Sequence, residues 1–398
     1  MSEKIVVTGI GVVSALGSQV DAAAEALAAQ ACGVRQNAQH GATRLHGAAQ
    51  GFNAGEYVNA NKARRMDPIN VFTIAAGRQA LTQAELPPEL ARTCGLLVGT
   101  GFSGLRSVVE HQKKFLRDGI VGLSPIHFPN TVYNASAGMA AIELGVAGPN
   151  TTVTGVDVSG EQAVLYAAMM LRQGMAERVL VIGADELSQA LAEGFGDLLL
   201  LDADAENPAC PFARRRSGFN LAEGAAALLL ETASAAAARG ATVLGTIEGI
   251  GLHASACDPY SHDLSPAAGA AAIHQALQRA GRELSDIDWV SSPANGSRTL
   301  DAADIQLWTS VLGEASAKVT AIKAYTGEFA ASGVLRLALA LACGRQGVIP
   351  AMDAAQDYDP AIRPLLNLAT RRGQPPRFLH HGTGVGGSQI ALVVDCAA

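Results

Sequence analysis

The sequence predicts an α/β protein made of two duplicated halves packed as one body. Short β-branched runs alternate with Ala-rich helical stretches, the same order recurs in the second half, and no Pro/Gly/Ser-rich linker separates the two. Such alternation predicts parallel β-α units whose strands are buried on both faces. The first half opens with a strand at Lys4–Thr8, a helix from Val20 to Ala29, a strand at Gly95–Gly99 and a helix from Gly104 to Arg117. It continues with a strand at Thr151–Val156, a helix from Gln162 to Gln173 and a strand at Arg178–Gly183. In the second half come Ala241–Glu248, a helix from Pro266 to Ala280, Trp289–Ser291, a helix from Ala302 to Leu312, Lys318–Thr320 and a helix from Gly333 to Cys343. Strands at Phe378–His380 and Gln389–Val394 close the chain, so the division falls near 240–250 and the halves are assigned to residues 1–245 and 246–398.

A chain of 398 residues with 49% hydrophobic and 16% charged residues has enough apolar side chains for a large core. No apolar run reaches the roughly 18 to 20 residues needed to cross a bilayer, since even Val334–Cys343 contains Arg336. The amino terminus has no basic segment leading into an apolar stretch, and the expected location is cytoplasmic. Six cysteines lie far apart with no Cys-x-x-Cys pair, so neither a metal site nor a disulfide framework is expected, and no cofactor. His253 and Cys257 lie close in sequence, but their spacing carries no site. The net charge of −7 argues against general nucleic-acid binding, and any acidic partner must dock on a local basic patch. Three are candidates: Lys62/Arg64/Arg65, Lys113/Lys114/Arg117 and Arg214/Arg215/Arg216, each of which also reads as an ordinary solvated cluster.

The most informative segment is the strand-to-helix turn around Asp157. The strand Thr151–Val156 runs into Asp157, and a helix opens through Val158-Ser159-Gly160-Glu161-Gln162. Ser159 and Gln162 have capping-box spacing, and Gly160 leaves room for another backbone. A turn of this build presents a side chain for chemistry. Read structurally, Asp157 is a carboxylate at a helix N-terminus, held by backbone N–H groups and the helix dipole; read chemically, it is a general base. The structural reading is the simpler one.

Around this turn, ordered segments run the length of the chain: Val6–Ser14, Lys62–Asp67, Ser124-Pro125 to Asn130, Asn134–Gly138, Gly148-Pro149-Asn150, Gly218–Ala225 and Gly382–Ser388. In this order and spacing the chain resembles the β-ketoacyl synthases of the thiolase-fold superfamily. The resemblance implies a thiolase-like five-layer αβαβα fold with the site between the halves. It also implies that Asp157 stands at the family's acyl-accepting cysteine. The two family histidines correspond to Asn295, in Ser292–Thr299, and Glu328, in Lys323–Glu328. Condensation needs a thiolate nucleophile and two histidines that assist decarboxylation and stabilise the oxyanion. None of these three side chains is present at those positions, and a carboxylate at Glu328 would repel malonate.

Further assignments follow from the resemblance. Lys323 is the family's retained lysine, and Arg336 falls at its acidic partner if one residue is gapped, so Glu328 and Arg336 are expected to form a rewired charge pair around Lys323. Val385 replaces the gating phenylalanine of the glycine-rich turn. Tyr133 and Phe195 are the first candidates to touch the acyl chain, and Lys62/Arg64/Arg65 match the carrier-protein entrance. Thr299–Asp304 resembles the Leu-Asp-x-Ala-acidic run of chain-length factors, the silent partners of condensing ketosynthases in type II polyketide or aryl polyene-type systems. In those factors the commonest substitute for the cysteine is glutamine, whereas this chain has Asp157.

The leading expectation is therefore a chain-length factor in a heterodimer with a catalytic ketosynthase subunit, served by acyl carrier protein, in polyketide or fatty-acid-like biosynthesis. One alternative is an acyl-thioester hydrolase or acyltransferase using Asp157 or Glu328. Another is a 3-oxoacyl-acyl-carrier-protein synthase homologue, or a non-catalytic acyl-binding homodimer.

Overall fold

The computed structural model describes residues 3–36, 44–313 and 315–396. Its centre is a ten-stranded mixed sheet. In chain order the strands are β1 (Ile5–Val13), β2 (Gly95–Gly99), β3 (Asn150–Val153), β4 (Arg178–Asp185) and β5 (Gly224–Thr232), then β6 (Gly245–Ala254), β7 (Trp289–Ser291), β8 (Lys318–Thr320), β9 (Arg377–Thr383) and β10 (Ser388–Asp395).

The spatial order is β8-β7-β9-β10-β6-β1-β5-β4-β2-β3, so each half repeats one pattern around the central β1/β6 pairing. In each half three strands are parallel: β2, β3 and β4 in the first, β7, β8 and β9 in the second. The remaining two strands of each half pair antiparallel, β4/β5/β1 and β9/β10/β6. The all-parallel expectation is corrected here. β5 returns from the long 186–223 excursion in the opposite sense, and a hairpin-like turn at 384–387 reverses β9 into β10.

Helices sandwich the sheet. On the outer face of the first half lie α1 (Pro68–Gln83) and α3 (Ala135–Leu144), and between them in the chain comes α2 (Leu105–Asp118). Between the halves lie α4 (Ser159–Arg172) and, near the carboxyl end, α8 (Ser332–Arg345), with α5 (Gln189–Asp197) near the site. On the outer face of the second half are α6 (Ala267–Ala280) and α7 (Arg298–Leu312). The alternation within β2 shows how period-2 patterning builds these layers. Leu97 joins α4 and α8 in the central core, while Leu96 and Val98 join α1 and α3 in the outer one. α8 has no polar face because both halves cover it, which is why its one charged core residue, Arg336, requires a buried partner.

The elements missing from the sequence reading are α1, α3, α5 and β5. β5 is buried along its whole length and α1 without a break from Ile69 to Gly77, so they show neither alternating nor clear amphipathic periodicity. Among the described residues no helix is long and apolar enough to cross a membrane.

Candidate functional site

Asp157 sits where the sequence placed it, in a strand-to-helix turn, but its local partners differ from the expectation. Val156 immediately before it has φ +47°, a left-handed conformation costly for a β-branched residue, and Val156–Val158 form one 3-10 turn ahead of α4. Ser159 is the first residue of α4 and forms no capping box with Gln162. Its Oγ instead accepts from the Gly155 amide at 2.9 Å and donates to the Val156 carbonyl at 2.7 Å, pinning the elbow. Gly160 does admit a neighbouring backbone: a Cβ there would lie 2.8 Å from the Ala331 carbonyl oxygen.

The Asp157 carboxylate is not held by the amides of α4. Its Oδ2 accepts from the Val385 amide at 3.2 Å, across the site, in the glycine-rich turn between β9 and β10. Burial, and then the nearby Glu328 carboxylate, push the Asp157 carboxyl up to about 6, against the opposing effects of the Val385 amide and Lys323.

From the second half come Asn295, Lys323 and Glu328, all buried. Glu328 Oε2 accepts from Lys323 Nζ at 2.5 Å and from Asn295 Nδ2 at 2.8 Å, while its Oε1 accepts from Ser332 Oγ at 2.8 Å. Their placement follows from local geometry. Asn295 and Gly296 direct both backbone amides at Asp301 Oδ1, and Gly327, at φ +74°, turns the chain so that Glu328 points back at Lys323.

Arg336 is not part of this group. Its guanidinium donates to Glu161 Oε1 at 2.7 Å and to the His381 and Ser291 carbonyls at 2.8 and 3.1 Å. The expected Glu328–Arg336 pair around Lys323 is thus corrected: α8 turns Arg336 toward α4 and β9, while Glu328, ahead of α8, pairs with Lys323. Glu161, which the sequence reading placed in the helix opening without giving it a role, is its acidic partner. Burial works to raise the Glu161 carboxyl, but the His380 hydrogen bond and the Arg336 charge outweigh it and hold it at about 2.

His262 is the second residue the sequence reading missed. Its Nε2 lies 3.8 Å from Asp157 Oδ2 and its Nδ1 lies 3.5 Å from Thr299 Oγ1. Burial, then the Lys323 charge, lower its pKa to about 4, so the ring is neutral at pH 7. No spacing signal links a loop histidine at 262 to an elbow at 157; only the packing of the halves joins them.

Asp157, His262, Asn295, Lys323, Glu328 and Val385 form the polar end of a cavity of about 450 Å³. Its body is apolar, walled by Phe102, Leu191, Phe195, Leu200, Phe219 and Phe329. Phe195 is the hub of this wall, edge-on to Phe102 at 5.7 Å and to Phe219 at 5.5 Å. Asp185, also at the cavity, fixes one wall by accepting from Thr100 Oγ1 and from the Gly101, Phe102 and Ala331 amides. Among the described residues, no cysteine lines the cavity.

Tyr133 does not reach this cavity. It lies on the outer surface at 52% exposure, as do the exposed Phe115, Leu116, Ile126, Phe128 and Val132, because the 3-10 turn at Phe128–Thr131 and the start of α3 carry it away from the elbow. Lys62 is exposed but ion-paired with Glu143 at 2.6 Å, whereas Arg64 and Arg65 are exposed without an acidic partner among the described residues. Acidic neighbours offset the other clusters: Arg214, Arg215 and Arg216 face Asp357, Asp204 and Asp359, and Lys113 and Arg117 face Glu110 and Asp118.

Comparison with known proteins yields matches along the whole chain. The family model for the β-ketoacyl synthase N-terminal domain matches residues 2–236, and that for the β-ketoacyl synthase C-terminal domain matches residues 244–354. The 3-oxoacyl-[acyl-carrier-protein] synthase 2 of Vibrio cholerae is 31% identical over 338 residues, covering 81% of each chain. The protein of the same name from Vibrio harveyi is 28% identical over 405 residues, covering 98% of each. Among solved structures, the ishigamide ketosynthase/chain length factor superposes with a TM-score of 0.91 at 23% identity, covering all of both chains. A β-ketoacyl synthase from Burkholderia phymatum superposes with a TM-score of 0.90 at 23% identity over the same full coverage. These structural likenesses establish the thiolase-like fold.

Proposed function

The chain belongs to the β-ketoacyl synthase family, and on that footing we propose that it is a non-condensing subunit, a chain-length factor that shapes the acyl tunnel of a heterodimeric β-ketoacyl synthase. One observation carries this reading: the chain's own carboxylates, Asp157 at the elbow and Glu328 opposite, occupy the polar end of the cavity. The Val385 amide serves Asp157, and Asn295 and Lys323 both serve Glu328. A thioester oxygen that gains charge needs free, preorganised donors, and a condensing site needs a nucleophile. With Asp157 at the elbow and no cysteine among the described residues lining the cavity, the thiol nucleophile is not supplied, and two carboxylates stand where negative charge would develop.

The outer surface supports a role beside another subunit. Phe115, Leu116, Ile120, Val121, Ile126, Phe128, Val132, Tyr133 and Ile142 are all large, apolar and exposed, and β3 ends the sheet on the first-half side. Apolar surface of this kind marks an interface. In the proposed heterodimer, Tyr133 contributes to the partner's tunnel from that face, Phe195 limits the volume of this chain's own cavity, and Arg64 and Arg65 are the favoured carrier-protein contacts. The solved complex described as a type II polyketide acyl-carrier protein with its ketosynthase, bound to the hexaketide, has this fold with a TM-score of 0.89 at 20% identity.

A second reading is favoured by one specific feature. A carboxyl raised to about 6 beside a neutral imidazole suits a general base near neutral pH, which would make the chain an acyl-thioester hydrolase or acyltransferase using Asp157. Native mass spectrometry of the chain alone and with a co-expressed ketosynthase, followed by a carrier-protein elongation assay, separates the two. A one-to-one complex that elongates only when both chains are present, and survives Asp157→Ala, supports the chain-length factor. Thioester turnover by the isolated chain that disappears in Asp157→Ala sinks it.

A further inference from the structure

We propose that a basic groove on the seam between the halves, at the carboxyl-terminal ends of α4 and α6, binds a diphosphate-type anion. It shares no lining residue with the acyl cavity. α4 spans Ser159–Arg172, so Arg172 lies a helix length, about 20 Å, from the turn that holds Asp157.

The groove encloses about 680 Å³, within the range of a small-molecule site. Lys4, just ahead of β1, and Arg172, in the last turn of α4, line it from the first half. Thr246 and Glu248 of β6, Arg279 in the last turn of α6 and Arg282 just past it line it from the second. The seam itself brings them together, because β1 and β6 pair here with Ile5 opposite Ile247. Ile247 and Ala280 are the apolar contributions to a lining that is otherwise polar, so the groove suits a hydrophilic ligand.

Its charge is opposite to that of the chain as a whole. Four cations, Lys4, Arg172, Arg279 and Arg282, face two carboxylates, Glu3 and Glu248, on a protein whose net charge is −7. Both carboxylates are engaged by other groups. Glu248 accepts from Arg282 at 2.7 Å and from Arg377 at 2.8 Å, and Arg377 also pairs with Asp395. Glu3 accepts from the amide and the hydroxyl of Ser234. Lys4, Arg172 and Arg279 have no ion pair among the described residues.

A cation in the last turn of a helix is favoured by the helix dipole, which accounts for Arg172 and for Arg279 taken singly. It does not account for both guanidinium groups lining one groove, with Arg279 anchored there by donating to the Ile250 carbonyl at 2.7 Å. Burial, and then the charge of Arg279, hold the Arg172 pKa below its ordinary value. The two cations repel each other, and a shared anion turns that repulsion into attraction. Each guanidinium presents paired N–H donors that match phosphate oxygens, so two of them beside a lysine suit two linked phosphates.

The test is a calorimetric titration of the full chain at pH 7.5 and low salt with sodium pyrophosphate, adenosine diphosphate and, as a multivalent carboxylate, sodium citrate. Both diphosphates should bind at least about tenfold more tightly than citrate, and Arg172→Gln and Arg279→Gln should each weaken them by about tenfold or more. Arg214→Gln, outside the groove, should leave them unchanged. Tighter binding of adenosine diphosphate than of pyrophosphate would assign the site to a nucleotide, and equal binding to the free anion.

Thermal unfolding gives a second readout that does not depend on measuring affinity. Without added anion, Arg172→Gln should melt no lower than wild type, because it relieves the repulsion, whereas with pyrophosphate the order should reverse. Absence of diphosphate binding, citrate binding as tightly, or unchanged binding in both groove variants would overturn the proposal. A lower midpoint for Arg172→Gln without anion would do the same, by making Arg172 a cation that serves α4 alone.

Discussion

Two buried ion pairs flank the site, one across the halves and one within a single loop, and they have opposite relations to solvent. Arg336–Glu161 joins the two helices between the halves, with side chains 1% and 2% exposed. Lys323–Glu328 opens on the cavity, with Glu328 at 12%. The sealed pair joins the halves and is tied to His380 and to two backbone carbonyls; the open pair, with Asn295 and Ser332, orients the polar end of the cavity. A charge placed between two apolar layers must be completed by the fold itself, whereas a charge at a cavity wall is open to a ligand as well.

Breaking the sealed pair should have the largest effect. Glu161→Ala leaves the Arg336 guanidinium buried without its counter-charge and should lower stability by about 3–5 kcal/mol in urea denaturation. A loss below about 1 kcal/mol would show that solvent reaches this layer and that the contrast between the pairs is false. Glu328→Gln, by comparison, should cost less than Glu161→Ala in the same assay, because water from the cavity can rehydrate Lys323. An equal cost would make the open pair as structural as the sealed one.

Asp157→Asn sharpens the comparison through its sign. The folded carboxyl, at about 6, is raised above its ordinary value of 3.8, so between about pH 4 and 6 the folded state holds more protons than the unfolded state. Stability attributable to this group therefore falls as pH rises through that window and stays low above it. Removing the charge should stabilise the protein at pH 7.5 by about 1–2 kcal/mol, discounted for the partial exposure of the side chain, with the gain vanishing near pH 4. A variant less stable than wild type at pH 7.5 would place Asp157 among the structural carboxylates with Glu161.

The smallest effect concerns surface charge. Arg64→Glu with Arg65→Glu should leave the thermal midpoint nearly unchanged while weakening binding of an acyl carrier protein several-fold at low salt, an advantage of the wild type that fades as salt rises. The triple change of Arg214, Arg215 and Arg216 to Ala, each with an acidic neighbour, should weaken it less. The reverse ranking would move the carrier-protein contact to the second patch.

Much of this was legible in the chain. Regular strands such as Gly95–Gly99 and Trp289–Ser291, the elbow at Asp157 and the positions of Asn295, Lys323 and Glu328 follow from local pattern and ordered motifs, because turn chemistry and β-branched runs act over a few residues. What each side chain touches did not follow. Arg336 was assigned to Lys323 from a gapped spacing, yet its place on α8 aims it at Glu161 instead. His262 and Asp157 are separated by more than a hundred residues and by the division between the halves, and no periodicity reports their approach.

Tyr133 shows the same limit: its neighbourhood resembles family segments that line the acyl pocket or the dimer interface, and the 3-10 turn before α3 decides that it faces outward. By itself the sequence determined the duplicated α/β layers and which residue types occupy the elbow and the two facing loops, since those depend on local propensity and hydrophobic burial. Only the tertiary structure decided how the charges pair and which face of Phe195, His262 and Tyr133 meets cavity or surface. Those outcomes depend on the relative placement of the two halves to within a hydrogen-bond length, which no local interaction along the chain sets.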